Sequence, residues 1–243
     1  MKRQMEILPD QRTICVGHSV KLKMVAAGYP DHEISVVPNF ADVDADIKEI
    51  PLEGIPEFLF IGRIERLKGL EWLLRSLKLV RAPVLLNIAG TGDGEGQCRD
   101  LVKDLGLGGV VRFLGWVDSA AKIELFHSSR AVIIPSIWPE PFGLVAIEAA
   151  GCARPSIVSN SGELPFIVED GKNGIVVDVA NIDQLAAAIE LLANELDLAQ
   201  DMGLDSHRKF NDRYTAEVHL RKIEDVYRVA SLRRGFEIGR DTN

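Results

Sequence analysis

From Glu57 onward the chain repeats one unit, a short apolar run followed by a segment of helical period. After FLFIG come Leu70, Leu73, Leu74 and Leu77; after VLLNIAG come Cys98, Leu101, Val102 and Leu105. Both sets fall at i, i+3, i+4 and i+7, the stripe of an amphipathic helix. The runs between them are apolar at successive positions, not alternate ones, which marks strands covered on both faces. VVRFLG leads to a short helix after Asp118, and AVIIP to a helix that Gly143 opens and that runs to about Cys152. SIVSN then passes through a turn to the strand GIVV. This alternation predicts the α/β class with a doubly wound parallel sheet, and ligands at the carboxyl ends of its strands.

The flanking segments have their own patterns. Asn181 and Gln184 form a candidate capping pair ahead of a helix carrying Leu185, Ile189, Leu192 and Leu196. A last helix is expected from about Thr215, with Leu220, Ile223, Val226, Tyr227 and Ala230 in an apolar stripe that is expected to be exposed. Near the other end, TICVGHS (Thr13 to Ser19) reads as a strand and the start of a helix that continues to about Ala27. Residues 40 to 56 are acidic, contain Pro51 and Pro56 and lack periodicity, the marks of a linker.

The densest chemistry lies in PSIWPEPFGLVAIEAAGCARPSIVSN, from Pro135 to Asn160, which sets Glu140 and Glu148 around a helix start that follows a buried strand. The backbone N–H groups of Phe142, Gly143 and Leu144 have no place in the helical ladder, and such a start attracts phosphate through its free donors and its dipole. Glu148 lies a turn or more into the helix with no basic residue near it in sequence. A carboxylate there needs a polar partner. Two vicinal ribose hydroxyls would serve, by the logic of dinucleotide-binding folds. Glu140, outside the helix, is placed to take a sugar hydroxyl. The alternatives are an arginine brought to Glu148 from elsewhere and plain solvent around Glu140. A second loop, GRIERLKG from Gly62 to Gly69, leaves the first strand of the repeat. Gly62 lets the backbone turn close to a ligand, and Arg63 and Lys68 either reach into a cleft or point to solvent.

Glu140 and Glu148, separated by seven residues and followed by the rest of EAAGCARP, resemble the Glu-x7-Glu signature of retaining glycosyltransferases of the family 4 type, which adopt the two-domain GT-B fold. VVPN from Val36, FIGRIERLKGLEWLL from Phe60, NIAGTGDG from Asn87, VRFLGWV from Val111 and VEDGKNGIVV from Val168 agree in order, so the resemblance covers roughly residues 12 to 230. It implies a Rossmann-like unit, one half of a GT-B fold. In that reading residues 1–39 are the tail of an N-terminal acceptor-binding domain, with a helix before Thr13, and 40–56 are the linker. Residues 57–212 are the nucleotide-sugar-binding domain, and 213–243 a crossover helix and tail.

The donor implied by the resemblance is a nucleoside diphosphate sugar, whose sugar passes to an acceptor hydroxyl with its anomeric configuration kept. No metal or other cofactor is implied. By the same resemblance Arg63 and Lys68 hold the diphosphate, Glu148 the ribose and Glu140 the transferred sugar, while Gly90 and Gly92 border the nucleotide. Three positions depart from the family pattern. Ala153 stands where a glycine ends the helix in a left-handed turn, at a cost of about 1 kcal/mol if the turn is kept. Phe166 stands in place of an acid, and Phe40 in place of a glycine, where it is expected to touch only the linker.

Length narrows this picture, because two Rossmann-like halves take roughly 300 to 400 residues and the chain has 243. Most of one half is therefore expected to be missing. The 28 basic against 36 acidic residues leave −8, which argues against nucleic acid or an anionic membrane surface as partner. Cys15, Cys98 and Cys152 form neither a CxxC site nor an even framework, and a reducing cytosol is the natural reading. No apolar run approaches the ~18 residues of a membrane span, and MKRQMEILPDQ lacks the apolar segment and cleavage site of a secretory signal. The expectation is a cytoplasmic chain that binds a nucleotide sugar and needs the missing N-terminal domain or a partner subunit for transfer. The alternatives are a non-catalytic nucleotide-sugar-binding module, a subunit of a split enzyme, or another GT-B enzyme such as a sugar phosphorylase or epimerase.

Overall fold

A computed structural model describes residues 12–43 and 47–233; the helix expected before Thr13 lies outside them. The N-terminal segment forms β1 (Thr13–Cys15), α1 (His18–Ala26) and β2 (Ile34–Val36), and its two strands pair in parallel. The main unit begins with β3 (Glu57–Ile61), α2 (Leu70–Leu77), β4 (Leu85–Ala89), α3 (Glu95–Asp104), β5 (Val111–Gly115) and α4 (Ser119–Ser128). It continues with β6 (Ala131–Ile134), α5 (Leu144–Gly151), β7 (Ser156–Ser159), α6 (Leu164–Ile167), β8 (Gly174–Val177), α7 (Ile182–Asn194), α8 (Leu196–Arg213) and α9 (Ala216–Arg233).

The six later strands form one parallel sheet in the order β5-β4-β3-β6-β7-β8. The chain winds outward from β3 to β5, crosses back to β6 and winds outward again to β8. β3 and β6 are therefore neighbours whose following loops depart to opposite sides, and a crevice opens between them at their carboxyl ends.

Helices cover both faces, as the unbroken apolar strands require. On one face Leu70, Leu73, Leu74 and Leu77 of α2 pack with Leu185, Ile189 and Leu192 of α7 against Phe58, Phe60, Leu86 and Ile88. On the other, Phe126 of α4 and Ala149 of α5 pack on Leu59 and Val132. Each buried leucine contributes roughly 1.5–3 kcal/mol, so the α2 stripe alone anchors its helix.

Two expectations on the helices change. The helix carrying Leu185 ends at Asn194, the chain breaks at Glu195, and Leu196 opens a separate 18-residue helix, α8. The pattern did not reveal α8 because it divides its few apolar residues between two cores: Ala199 and Met202 join one, Phe210 the other. Asn181 Oδ1 does accept the Gln184 N–H at 3.1 Å, but Gln184 Oε1 turns to the Asp178 N–H at 2.8 Å, not to the capping residue's own amide.

The described part of the linker has no regular structure and is latched to the sheet unit by a buried arginine. Arg154, 1% exposed, donates to the carbonyls of Lys48, Glu49 and His127. Burial pulls its guanidinium down to about 10. Ala153 before it takes the left-handed turn, with φ 53°. Phe40 reaches beyond the linker: its ring lies 5.1 Å from that of His219 in α9. On the α9 stripe Leu220 and Tyr227 are exposed but Ile223, Val226 and Ala230 are half-buried, so the stripe is exposed only in part. Among the described residues no helix is long and apolar enough to cross a membrane.

Candidate functional site

The crevice between β3 and β6 holds a cleft of about 390 Å³. Gly62, Arg63 and Lys68 line one side, and Ser136, Glu140, Phe142, Gly143 and Leu144 the other. Val16 and Asn39 of the N-terminal segment complete the lining. The topology thus gathers most of the expected residues from two loops that are distant in sequence. α5 starts at the cleft, and among the described residues no protein acceptor takes the N–H groups of Phe142, Gly143 or Leu144. These donors, with the positive end of the helix dipole, make one wall suited to an anion.

Facing them is an ion pair. Lys68 Nζ lies 2.6 Å from Glu140 Oε1, and the Ser136 hydroxyl donates to the same oxygen at 2.6 Å. The Glu140 side chain is only 12% exposed, so the pair has shed much of its water, and its Coulombic gain is offset by that desolvation. What the arrangement secures is position: an ammonium and a carboxylate oriented at the cleft, with Glu140 Oε2 free of hydrogen bonds among the described residues.

Glu148 has a partner that the sequence reading missed. Lys122 of α4 approaches its Oε1 at 2.6 Å, so the lone acid expected in the helix is half of an ion pair between neighbouring helices. The base is a lysine, not an arginine, and it stands 26 residues earlier, where inspection of the neighbouring sequence could not find it. Glu148 does not line the cleft itself; it sits one turn beyond Leu144 and Val145, which do. Arg63 lines the rim, with its side chain 72% exposed and its Nε 3.5 Å from Glu65.

Gly90 and Gly92 do not line the cleft but let two loops meet. A Cβ at Gly90 would stand 1.9 Å from the Gly62 carbonyl oxygen, and one at Gly92 2.3 Å from that of Ile64. Of the other loop residues, Ser161 donates to the Trp138 carbonyl at 2.9 Å. Phe166, in place of the acid expected there, stacks on His18 with ring centroids 5.4 Å apart. Among the described residues no group of three or more His, Cys, Asp or Glu side chains is placed to hold a metal ion.

Comparison with known proteins identifies the fold and the family. The chain superposes over 92% of its length on sucrose-phosphate synthase from Thermosynechococcus elongatus, with a TM-score of 0.81, 24% identity and 58% of that chain covered. It superposes over 90% on Anabaena HepE in complex with UDP, with a TM-score of 0.82, 19% identity and 64% of that chain covered. These likenesses establish the fold. Among curated relatives, an uncharacterized glycosyltransferase of Methanocaldococcus jannaschii is 33% identical over 174 residues, 71% of this chain and 44% of that protein. A D-inositol 3-phosphate glycosyltransferase of Corynebacterium jeikeium is 33% identical over 218 residues, 79% of this chain and 52% of that one. The chain spans about half the length of these relatives. The family model for glycosyl transferases group 1 matches residues 42–207, which include both cleft loops and the Glu148 helix, and the chain belongs to that family.

Proposed function

We propose that this chain is the donor-binding half of a retaining glycosyltransferase of the family 4 type, which takes a nucleoside diphosphate sugar and delivers the sugar to an acceptor hydroxyl. The reading rests on one arrangement: the Lys68 ammonium, held by Glu140, opposite the unpaired N–H groups that open α5. Diphosphate oxygens take those N–H groups and draw Lys68 toward them, and Arg63 adds its charge from the rim. Glu140 then has both oxygens for a hydroxyl of the transferred sugar. As the bond between the anomeric carbon and the phosphate oxygen breaks, the charge that grows on the departing phosphate meets donors already in place.

In this reading those donors, and no metal, stabilise the leaving group. Glu148 serves the ribose, and the sugar keeps its anomeric configuration through same-face attack or through a covalent intermediate on Glu140. Transfer is assigned to the whole protein, in which a second wall holds the acceptor in register. Titration calorimetry with UDP, GDP and ADP tests the donor site: binding of one of them by the wild type, weakened by Lys68→Ala, is expected. Wild-type affinity in that variant refutes the phosphate assignment. The anomeric configuration of the product, read by NMR from the whole protein, tests retention.

A further inference from the structure

A second cavity, of about 330 Å³, opens at the other end of the sheet, where β3, β4 and β6 begin. Ile50, Pro51, Ile55 and Pro56 of the linker form one wall, and Leu85 at the start of β4 and Arg130 just before β6 complete it. Arg130 is 6% exposed and short of acceptors. Its Nη1 donates to the Leu192 carbonyl at 3.1 Å; among the described residues Nη2 makes no hydrogen bond, and Nε is buried without a partner. No described carboxylate pairs with it either. Burial alone pulls the guanidinium below its usual value, with no neighbouring charge to offset the loss of water.

Buried charge is handled differently elsewhere in the chain. Arg154, the other deeply buried arginine, has carbonyl acceptors for both of its terminal nitrogens. Glu57 lines the same cavity as Arg130, but Asn87 holds one of its oxygens at 2.7 Å and Arg112 the other at 3.4 Å, so its charge is already met. Arg130 is left as a buried cation beside an open space. A guanidinium without a partner is costly to bury, and a carboxylate brought to it offsets that cost. Nη2 and Nε share one edge of the planar group, so a carboxylate that reaches Nη2 needs only a small turn of the side chain to accept from both.

We propose that this cavity binds a small alkyl monocarboxylate, with its oxygens on Arg130 and its alkyl body against the linker wall. The site stands apart from the donor-binding reading, because it lies at the opposite end of the strands from the cleft. Charge selects the class of ligand: Glu53 and Glu57 also line the cavity, and a doubly charged phosphate meets more of their repulsion than a singly charged carboxylate does. The lining supplies the rest. Ile50, Ile55, Pro56 and Leu85 give an alkyl chain apolar surface to leave water against. Ile55 is 51% exposed, so a ligand that covers it adds a tie between linker and sheet unit to the one that Arg154 makes.

The test is an NMR titration of the isotope-labelled full chain with sodium acetate, sodium butyrate, butyramide and inorganic phosphate at fixed ionic strength, following the Arg130 Nε–H and Leu85 amide signals. Butyrate is expected to shift both signals to saturation. Its affinity should exceed that of acetate about tenfold, for two more buried methylenes, and that of uncharged butyramide at least about tenfold. Arg130→Met should abolish the saturable response; if that variant does not fold, the comparison of butyrate with butyramide on the wild type still decides. The proposal falls if butyrate gives no saturable shift, if butyramide or phosphate binds as tightly, or if folded Arg130→Met still binds butyrate. It falls too if butyrate binds Glu53→Gln and not the wild type, because the linker's own acid is then the partner of Arg130.

Discussion

Glu163 accepts the backbone N–H of His18 at 2.8 Å, joining two residues 145 positions apart, and its other oxygen takes the Ser19 N–H at 2.7 Å. A carboxylate from the sheet unit thereby caps α1, whose own N-cap, Gly17, has no side chain to do so. The Glu163 N–H in turn donates to the Glu140 carbonyl at 2.8 Å, so one residue connects the N-terminal segment to the loop that carries the cleft acid. Glu163→Ala should free the His18 and Ser19 amides to exchange with solvent hydrogen. Charge-assisted bonds of this kind contribute roughly 1.5 to 3 kcal/mol each. Gly17→Ala should do the same, because the added Cβ would stand 2.4 Å from the Glu163 carboxyl carbon. Hydrogen exchange on the single and double variants checks this: the combined effect should fall short of the sum, and unchanged protection in either single variant contradicts the clamp.

Lys68 and Arg63 should differ in their effect on binding. Lys68→Ala removes a cation 27% exposed at the cleft and should weaken nucleoside diphosphate binding by about tenfold to a hundredfold. Arg63 is 72% exposed, where water and salt compete, and Arg63→Ala should cost no more than about fivefold. Calorimetry at two ionic strengths distinguishes them, with equal losses counting against the geometry.

The loop contact between Gly90 and Gly62 sets a stability contrast. Gly90 has φ 131° and the Gly62 carbonyl directly against it, so Gly90→Ala must push two backbone segments apart. Gly62 has φ 152° and nothing within 4 Å of an added Cβ, leaving only conformational strain of about 1–2 kcal/mol. Urea unfolding should rank Gly90→Ala well below Gly62→Ala, which should lie below wild type.

Acid should weaken one tie between α8 and the loop before β8. Hydrogen bonds from Lys209, at 2.7 Å, and from Lys172, at 3.1 Å, hold the Glu169 carboxyl down at about 2. Because the folded state depresses this pKa, the stabilisation is fully present above the ordinary value near 4.5 and is lost as pH falls toward 2. The Glu169 side chain is 44% exposed, and burial pulls Lys209 down from its usual value, which opposes the pair. Its net contribution is therefore held to about 1 kcal/mol at most. Glu169→Gln should lower the urea midpoint at about pH 6, and the gap should shrink as pH falls through about 2; a gap as large at about pH 2 as at about pH 6 contradicts the assignment.

By itself the sequence determined the strands, most of the helices and the local layout of the site. Unbroken apolar runs specify strands buried on both faces, and the i, i+3, i+4, i+7 stripes specify the helices that cover them. The spacing around Gly143 likewise places Glu140 outside α5 and Glu148 one turn inside it, because both are set by the few residues between them. The tertiary structure decided the partners. Lys68 meets Glu140 across 72 residues, Lys122 meets Glu148 across 26, and Glu163 meets His18 across 145. The strand order that brings β3 beside β6 is of the same kind, as is α8, whose apolar residues serve two cores and so show no single stripe. Periodicity records which face of an element is buried; which charged group waits on the other side of that burial depends on how whole elements pack, and no local spacing carries that information.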